Sequence, residues 1–393
     1  EALVKSANSV DVEIREGRLT GRYFPIPFKS SLAAGTQYYA PGRHSAKEND
    51  LHGHIVELSW DKDGWVFHRI RTDRDKELKN GTYYGNNFKI AELTLQSALN
   101  PLTIKSLCAS YGVLSKDFYF KKQDDSYLYV RKFNNYVKNI LIQQSRSDSV
   151  MDMASGKGQD IKKYADAKVK DLLMLEIDID AIDELIQRKY EILGKMYVDN
   201  INAPVSLSNY ESKGCELTVR NIDLNKPSKE NISVLGDKKY KLIVCNFALH
   251  YMLANKQSAE NIVAFIAHYL SDGGEFLFTV LDGEKVFNLL KKGKWQKDKY
   301  MLEFMDFPKG GFKGYEKIRV LLPCSDKPYE EPLINLFELD MLFKPFGIKR
   351  TETRNFDVYL PEFEKNKRDM FNGLNSDDKE FIGLYSYTVY KKS

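Results

Sequence analysis

The chain has 393 residues, 42% of them hydrophobic and 29% charged, with 59 basic against 55 acidic side chains and a net charge of +4. That length predicts about two domains of roughly 100–200 residues each, and the composition excludes an intrinsically disordered chain. The mild positive balance is not that of a general polyanion binder, and no apolar run approaches the ~18 residues of a membrane span.

The first residues, Glu1 to Lys5, lack the apolar core and cleavage pattern of a signal peptide. The missing initiator Met suggests a piece of a longer chain. Cys108, Cys215, Cys245 and Cys324 are too far apart for C-x-x-C zinc or redox patterns, so a reducing compartment and no metal site are expected.

The first hundred residues read as short strands. Leu19 to Phe28 and Gly53 to Ser59 are β-rich, and Trp65 to Arg71 alternates. Turn clusters at Pro41-Gly42, Asp63-Gly64, Asn80-Gly81 and Gly85-Asn86-Asn87 separate them, and Asn100-Pro101 closes the block. This pattern predicts a small all-β barrel. A polar connector, Ser115 to Ser126, follows. A helix fits Tyr127 to Gln143, where Val130, Phe133, Val137, Ile140 and Leu141 share one face.

From Ser149 strand and helix patterns alternate. Strands are expected at Val150–Met153, Leu172–Ile177, Tyr240–Cys245 and Glu275–Leu281, with a final one at Leu384–Lys391. Between them, Ile182, Leu185, Ile186, Tyr190 and Leu193 form one helix face. Ile262, Phe265, Ile266, Tyr269 and Leu270 form another, after an N-cap at Ser258. This alternation predicts an α/β, doubly wound sheet.

The first of these strands runs into Ala154-Ser155-Gly156-Lys157-Gly158-Gln159-Asp160. A G-x-G between strand and helix lets a ligand approach the backbone. Ile161 stands where a dinucleotide fingerprint needs its third Gly, and no P-loop pattern exists. Asp178 follows at the end of the second strand, placed to bond ribose hydroxyls, and Asp223 follows a short third β-like run. This order of glycine loop and two acids is the layout of an S-adenosylmethionine site in a class I (Rossmann-like) methyltransferase. The fourth strand leads into Phe247, His250 and Tyr251, at the sheet edge where open α/β sheets bind ligands, and their rings suit a flat heterocycle.

Three motifs carry a family resemblance: Cys245-Asn246-Phe247-Ala248-Leu249-His250-Tyr251, Phe133-Asn134-Asn135-Tyr136-Val137-Lys138-Asn139-Ile140-Leu141-Ile142, and Asp152 to Ile161. With them the chain from Tyr127 to Lys392 resembles mRNA cap (guanine-N7) methyltransferases, especially the C-terminal part of capping enzymes from large DNA viruses of the asfarvirus, poxvirus and mimivirus type. The resemblance implies methyl transfer from S-adenosylmethionine to N7 of the guanine cap of GpppN-RNA, in line and without a general base. For the cofactor it implies Lys138 at the carboxylate and Ala154, Gly156 and Gly158 along the amino-acid end. Asp178 would hold the ribose and Asp223 the adenine, with Asn246 and Tyr251 completing the wall. For the cap it implies Asn134, Phe247, His250, Glu331 and Tyr385 around the guanine, and Lys157, Lys163 and Lys189 toward triphosphate or ribose. The chain departs from the family pattern at Tyr136, Ser155, Gln159, Asn246 and Leu281.

The segments Gly53–Trp60 and Trp65–Arg74 resemble the last motif of mRNA guanylyltransferases, which lies in an OB-fold. That likeness implies Arg69, Arg71 and Arg74 toward a triphosphate. The nucleophile motif K-x-D-G is absent, because Lys62-Asp63-Gly64 lacks the spacer. The expected organisation is an OB-fold-like domain over 1–104, a linker over 105–126 and a methyltransferase over 127–393. Implied partners are capped RNA, upstream capping-enzyme domains and, in the poxvirus pattern, a small activating subunit, with no membrane. The implied location is the cytoplasmic viral factory or the virion. The competing reading is a catalytically inactive methyltransferase-like module that binds RNA or stabilises a partner.

Overall fold

The computed structural model describes residues 127–393 apart from 201, 204, 206–209, 213, 309 and 326. Before them it describes 3–5, 9–14, 18–23, 25–27, 51–61, 64–82 and 85–99. The connector Ser115–Ser126, the Pro41-Gly42 turn and Asn100-Pro101 lie outside the described residues.

Nineteen strands are assigned among the described residues. Those before the alternating region are β1 (Leu3–Lys5), β2 (Val10–Ile14), β3 (Arg18–Arg22), β4 (Pro25–Pro27), β5 (Val56–Asp61) and β6 (Gly64–Ile70). The central sheet uses β7 (Ser149–Met153), β8 (Asp171–Glu176), β11 (Glu216–Asn221), β12 (Tyr240–Asn246), β13 (Leu270–Leu281), β18 (Ile348–Asn355) and β19 (Tyr385–Lys392). Their hydrogen-bonded order is β11-β8-β7-β12-β13-β19-β18. The order reverses beside β7, and β19 runs antiparallel to β13. The remaining strands are β9 (Gly194–Val198), β10 (Tyr210–Ser212), β14 (Trp295–Lys297), β15 (Tyr300–Phe304), β16 (Lys317–Leu321) and β17 (Tyr329–Pro332).

Interior strands of a parallel sheet are covered on both faces and read as unbroken apolar runs. Here Val150, Met151 and Met153 in β7, and Ile243, Val244 and Cys245 in β12, are fully buried. That is why the sequence located these strands to within a residue or two at most ends. β13 was placed late, because it begins at Leu270 and carries polar Ser271 to Gly274 before its apolar run. The helix over Lys256–Tyr269 is capped by Asn255, whose Oδ1 accepts from the Ser258 N–H at 3.0 Å, so Ser258 is the capped residue and not the cap.

Packing divides the chain into two compact units, Glu1–Leu114 with Ser155–Ile222, and Ser115–Ala154 with Asp223–Ser393. In the first unit, β8 pairs in parallel with β11, from Asp171↔Glu216 to Glu176↔Asn221. The N-terminal region is β-rich, but it is not all-β. Helices form over Asp75–Lys79 and Phe88–Leu99. Phe88, Ala91, Glu92 and Leu95 fall at helical spacing and turn inward. The described N-terminal strands lie in three separate sheets, so a closed barrel is not shown. One of those sheets has the order β10-β9-β2-β3, in which Ile14 pairs in parallel with Val198. Val12, Ile14, Phe88 and Leu95 share a core with Ile182, Tyr190 and Val198. In this unit the N-terminal segments and the helix Ile179–Leu193 therefore share one core.

In the second unit, β12 pairs with β7 and β13, and β13 with β19. The helix Leu128–Ser145 buries Val130, Phe133, Asn134, Val137, Leu141 and Ile142. Ile140, expected on this face, is only partly buried. An antiparallel sheet β14-β15-β16-β17, not anticipated from sequence, follows β13. It delivers Glu331, paired with Ile318, to the turn Leu249–Met252.

Leu95 is fully buried in the shared core. We expect Leu95→Ala to cost about 2–5 kcal/mol, seen as a lower urea midpoint for the transition of the first unit in the intact chain. An unchanged midpoint would contradict that packing.

Candidate active site

In the first unit the glycine loop is built on one buried carboxylate. Glu176 is the last residue of β8 and is 7% exposed. Its carboxylate accepts the Gly156 N–H at 2.7 Å and the Ile177 and Asp178 N–H groups at 2.9 Å each. Burial raises its pKa, and the three N–H donors oppose that rise. The Ser155 N–H and hydroxyl both donate to the Leu175 carbonyl. Asn221, ending β11, donates to the carbonyls of Glu176 and Ile177. The backbone is left-handed at Gly156 (φ 54°) and Gly158 (φ 71°). A Cβ on Gly158 would lie 2.8 Å from Ile161 Cδ1, whereas one on Gly156 would meet nothing within 4 Å. Gly158 is thus needed for packing, and Gly156 leaves open space beside the loop. Gln159, the departure from the family's second Gly, is not in a left-handed conformation, so no glycine is required there.

Asp178 is the N-cap of the helix Ile179–Leu193, and its side chain accepts the Asp180 N–H at 3.0 Å. The sequence reading carried the strand to Ile177 and so chose Asp178. The strand ends at Glu176, which sequence reasoning missed. Lys157 pairs with Glu184 at 2.5 Å and Lys163 with Asp160 at 2.6 Å. Lys189 lies three turns down the helix from Asp178, over the Tyr190 ring and near Cys215, at the amino end of β11. That is the opposite edge of the strands from the glycine loop. Of the arginines, Arg69 meets Glu57, Arg71 meets Asp73 through two bonds, and Arg74 meets Glu77. Arg71 holds the exposed Asp73 carboxyl down at about 2.

In the second unit, two non-glycine residues at the ends of β7 and β12 are left-handed, Ala154 and Phe247, both at φ 55°. Such backbone costs about 1–3 kcal/mol unless its surroundings hold it. At Phe247 they do: its N–H donates to the Thr279 carbonyl at 2.9 Å and to the Thr279 hydroxyl at 3.0 Å. The same hydroxyl lies 3.3 Å from Asn246 Oδ1, to which it donates. Asp223 Oδ1 accepts the Asn225 N–H, closing a turn after β11.

The turned-out Phe247 ring sits edge-on to Tyr385 at 5.0 Å and to Phe356 at 5.8 Å. His250 is buried, with Nε2 3.7 Å from Glu331 Oε1. That is too long for a hydrogen bond. Burial pushes His250 down to about 3 and Glu331 up to about 8, so both groups are neutral at pH 7 and the contact is not an ion pair. Tyr251 is half-exposed, its ring 4.1 Å from that of His250. Asn134 is buried with Oδ1 unpartnered, and Lys138 lies one turn further along the same helix. Asn134, Phe247, His250, Glu331 and Tyr385 are therefore brought together. Tyr127, Phe356 and Thr279 join them, and no motif marked these three.

A sheet of this order, with a glycine loop after its first strand and a carboxylate ending its second, defines a class I S-adenosylmethionine-dependent methyltransferase. Residues 103–312, more than half the chain, match the mRNA (guanine-N(7))-methyltransferase domain, and the chain belongs to that family. It is 27% identical to an African swine fever virus mRNA-capping enzyme over 94% of this chain and 44% of that protein. It is 29% identical to a probable mRNA-capping enzyme of Acanthamoeba polyphaga mimivirus over 69% of this chain and 27% of that protein. The chain thus spans less than half the length of these relatives. Among solved structures, an S-adenosylmethionine-dependent methyltransferase from Clostridium acetobutylicum aligns with 67% of this chain and 92% of that one, at TM-score 0.39 and 11% identity.

Glu331 titrates near 4.5 when unfolded and near 8 when buried. The unfolded chain therefore releases this proton first, and stability is lost as pH rises from about 4.5 to 8. His250 acts oppositely, its cost appearing as pH falls below about 6.5. We expect Glu331→Gln to become progressively more stable than wild type between pH 5 and 8 in thermal melts without ligand. A pH-independent difference would contradict this assignment.

Proposed function

We propose that this chain methylates N7 of the guanine in GpppN-capped RNA. The observation that carries the reading is the buried, neutral, ring-lined pocket of Phe247, His250, Glu331 and Tyr385 in a methyltransferase of this family. S-adenosylmethionine, when bound, supplies an electrophilic methyl group on a sulfonium. The residues fit such a group, because Gly156 leaves its side open and a buried carboxylate closes the loop.

In this reading Asp178 binds the ribose hydroxyls through the oxygen that its helix cap does not use, at a strand end that the buried Glu176 carboxylate organises. Lys138 takes the amino-acid carboxylate, and Ala154, Gly156 and Gly158 offer backbone to that end. Asp223 meets the adenine, and Asn246 and Tyr251 line the wall.

On the acceptor side, guanine N7 carries a lone pair and no proton at neutral pH, so no group need remove one. That suits a pocket whose His250 is neutral and buried rather than poised as a base. The pocket's task is to hold N7 at near-attack distance, ~3–3.5 Å. The methylated ring is cationic. Aromatic faces favour a cation, and the rings of Phe247 and Tyr385 supply them. We further infer that capped RNA and upstream capping-enzyme domains are the partners, in keeping with the share of the viral relatives that the chain spans.

The test is incubation with labelled S-adenosylmethionine and GpppA-RNA, followed by nuclease digestion. Label is expected in 7-methylguanosine, and label in another nucleoside would overturn the reading. Glu331→Gln and His250→Ala are expected to lose roughly 100-fold in turnover while binding S-adenosylhomocysteine within about threefold of wild type. Full turnover by Glu331→Gln would remove it from the guanine pocket.

A further inference from the structure

Tyr127 stands immediately before the helix Leu128–Ser145 and is 3% exposed. Its hydroxyl is 3.2 Å from the hydroxyl of Tyr385, itself 7% exposed. Burying a hydroxyl costs free energy unless it is bonded, and a purely packing role would be filled as well by Phe. The surroundings are already ring-rich. Tyr385 lies against Phe247, Phe356 and Phe381, and Tyr300 stacks on Phe381 with its hydroxyl given to Asp378 at 2.6 Å. These contacts hold the rings but leave the hydroxyl of Tyr127 with a separate role.

A tyrosine hydroxyl has one proton to give. In the Tyr127–Tyr385 pair one hydroxyl donates to the other, and either can be the donor. One proton of the pair is then unspent, as is the buried Oδ1 of Asn134. Both belong to the pocket assigned above to guanine.

We propose that Tyr127 is a positioning residue of the cap pocket, whose hydroxyl holds that of Tyr385 in a buried hydrogen-bonded pair. That pair fixes where the Tyr385 hydroxyl stands against the capped nucleotide. This rests on the cap reading and adds to it a residue outside its motifs. The consequence is specific. Loss of the Tyr127 hydroxyl loosens capped-RNA binding, spares the cofactor, and acts only through Tyr385.

The test compares Tyr127→Phe, Tyr385→Phe and the double variant in steady-state methylation of GpppA-RNA, with S-adenosylhomocysteine affinity measured by calorimetry. Tyr127→Phe is expected to raise KM for capped RNA about fivefold, the worth of roughly one hydrogen bond, with kcat and cofactor affinity within about twofold. The double variant should be no worse than Tyr385→Phe alone. An unchanged KM, losses that multiply in the double variant, or an equal fall in cofactor affinity would each overturn the proposal. An active wild type with any of these results leaves the cap reading standing. A wild type that does not methylate capped RNA overturns that reading, and this one with it.

Discussion

The carboxylate of Glu176 is the interaction on which the cofactor half depends. It is buried, and it answers three backbone N–H groups from two sides, Gly156 in the loop after β7 and Ile177 and Asp178 at its own strand end. A buried carboxylate without such donors would be neutral or strongly destabilising. With them it ties the glycine loop to the end of the second strand. The left-handed turns at Gly156 and Gly158 then follow, as does the start of the helix that Asp178 caps.

The acceptor pocket is built on a different economy of charge. Its titratable groups, His250 and Glu331, are both held neutral by burial, and its remaining polar groups are hydroxyls and an amide. Such a pocket avoids the cost of burying an ion before substrate arrives. In the proposed reaction its aromatic faces meet the guanine as that ring becomes cationic, and interactions stronger in the transition state than in the ground state are those that accelerate a reaction. The left-handed backbone at Phe247, fastened by Thr279, turns the aromatic ring toward Tyr385 and so gives the pocket its wall.

Much of this was legible in the sequence, for physical reasons. Strands β8 and β12 carry apolar runs and β7 one broken only by Asp152, and the glycine loop and the Asn246–Tyr251 motif sit directly at their ends. What was not legible arises from contacts between distant segments. Glu331, named through the family resemblance alone, reaches the pocket on an antiparallel sheet whose strands between Trp295 and Pro332 gave no strong period. Tyr127 and Phe356 look like ordinary core aromatics until their neighbours are known. Glu176 and Asp178 are two residues apart, and choosing between them needs the strand's last residue, where sequence patterns are least sharp. For the lysines, spacing places Lys163 and Lys189 on helices but does not show that one meets Asp160 while the other lies at the far end of its helix.

The claim that Glu176 organises the cofactor site is tested most directly by titrating S-adenosylhomocysteine calorimetrically into wild type, Glu176→Gln and Asp178→Asn. The Gln variant keeps the shape but loses one accepting oxygen, while Asn preserves the helix cap. The account predicts an affinity loss of roughly tenfold or more for Glu176→Gln, and a smaller one for Asp178→Asn. Wild-type affinity in Glu176→Gln, or a larger loss in Asp178→Asn, would contradict it.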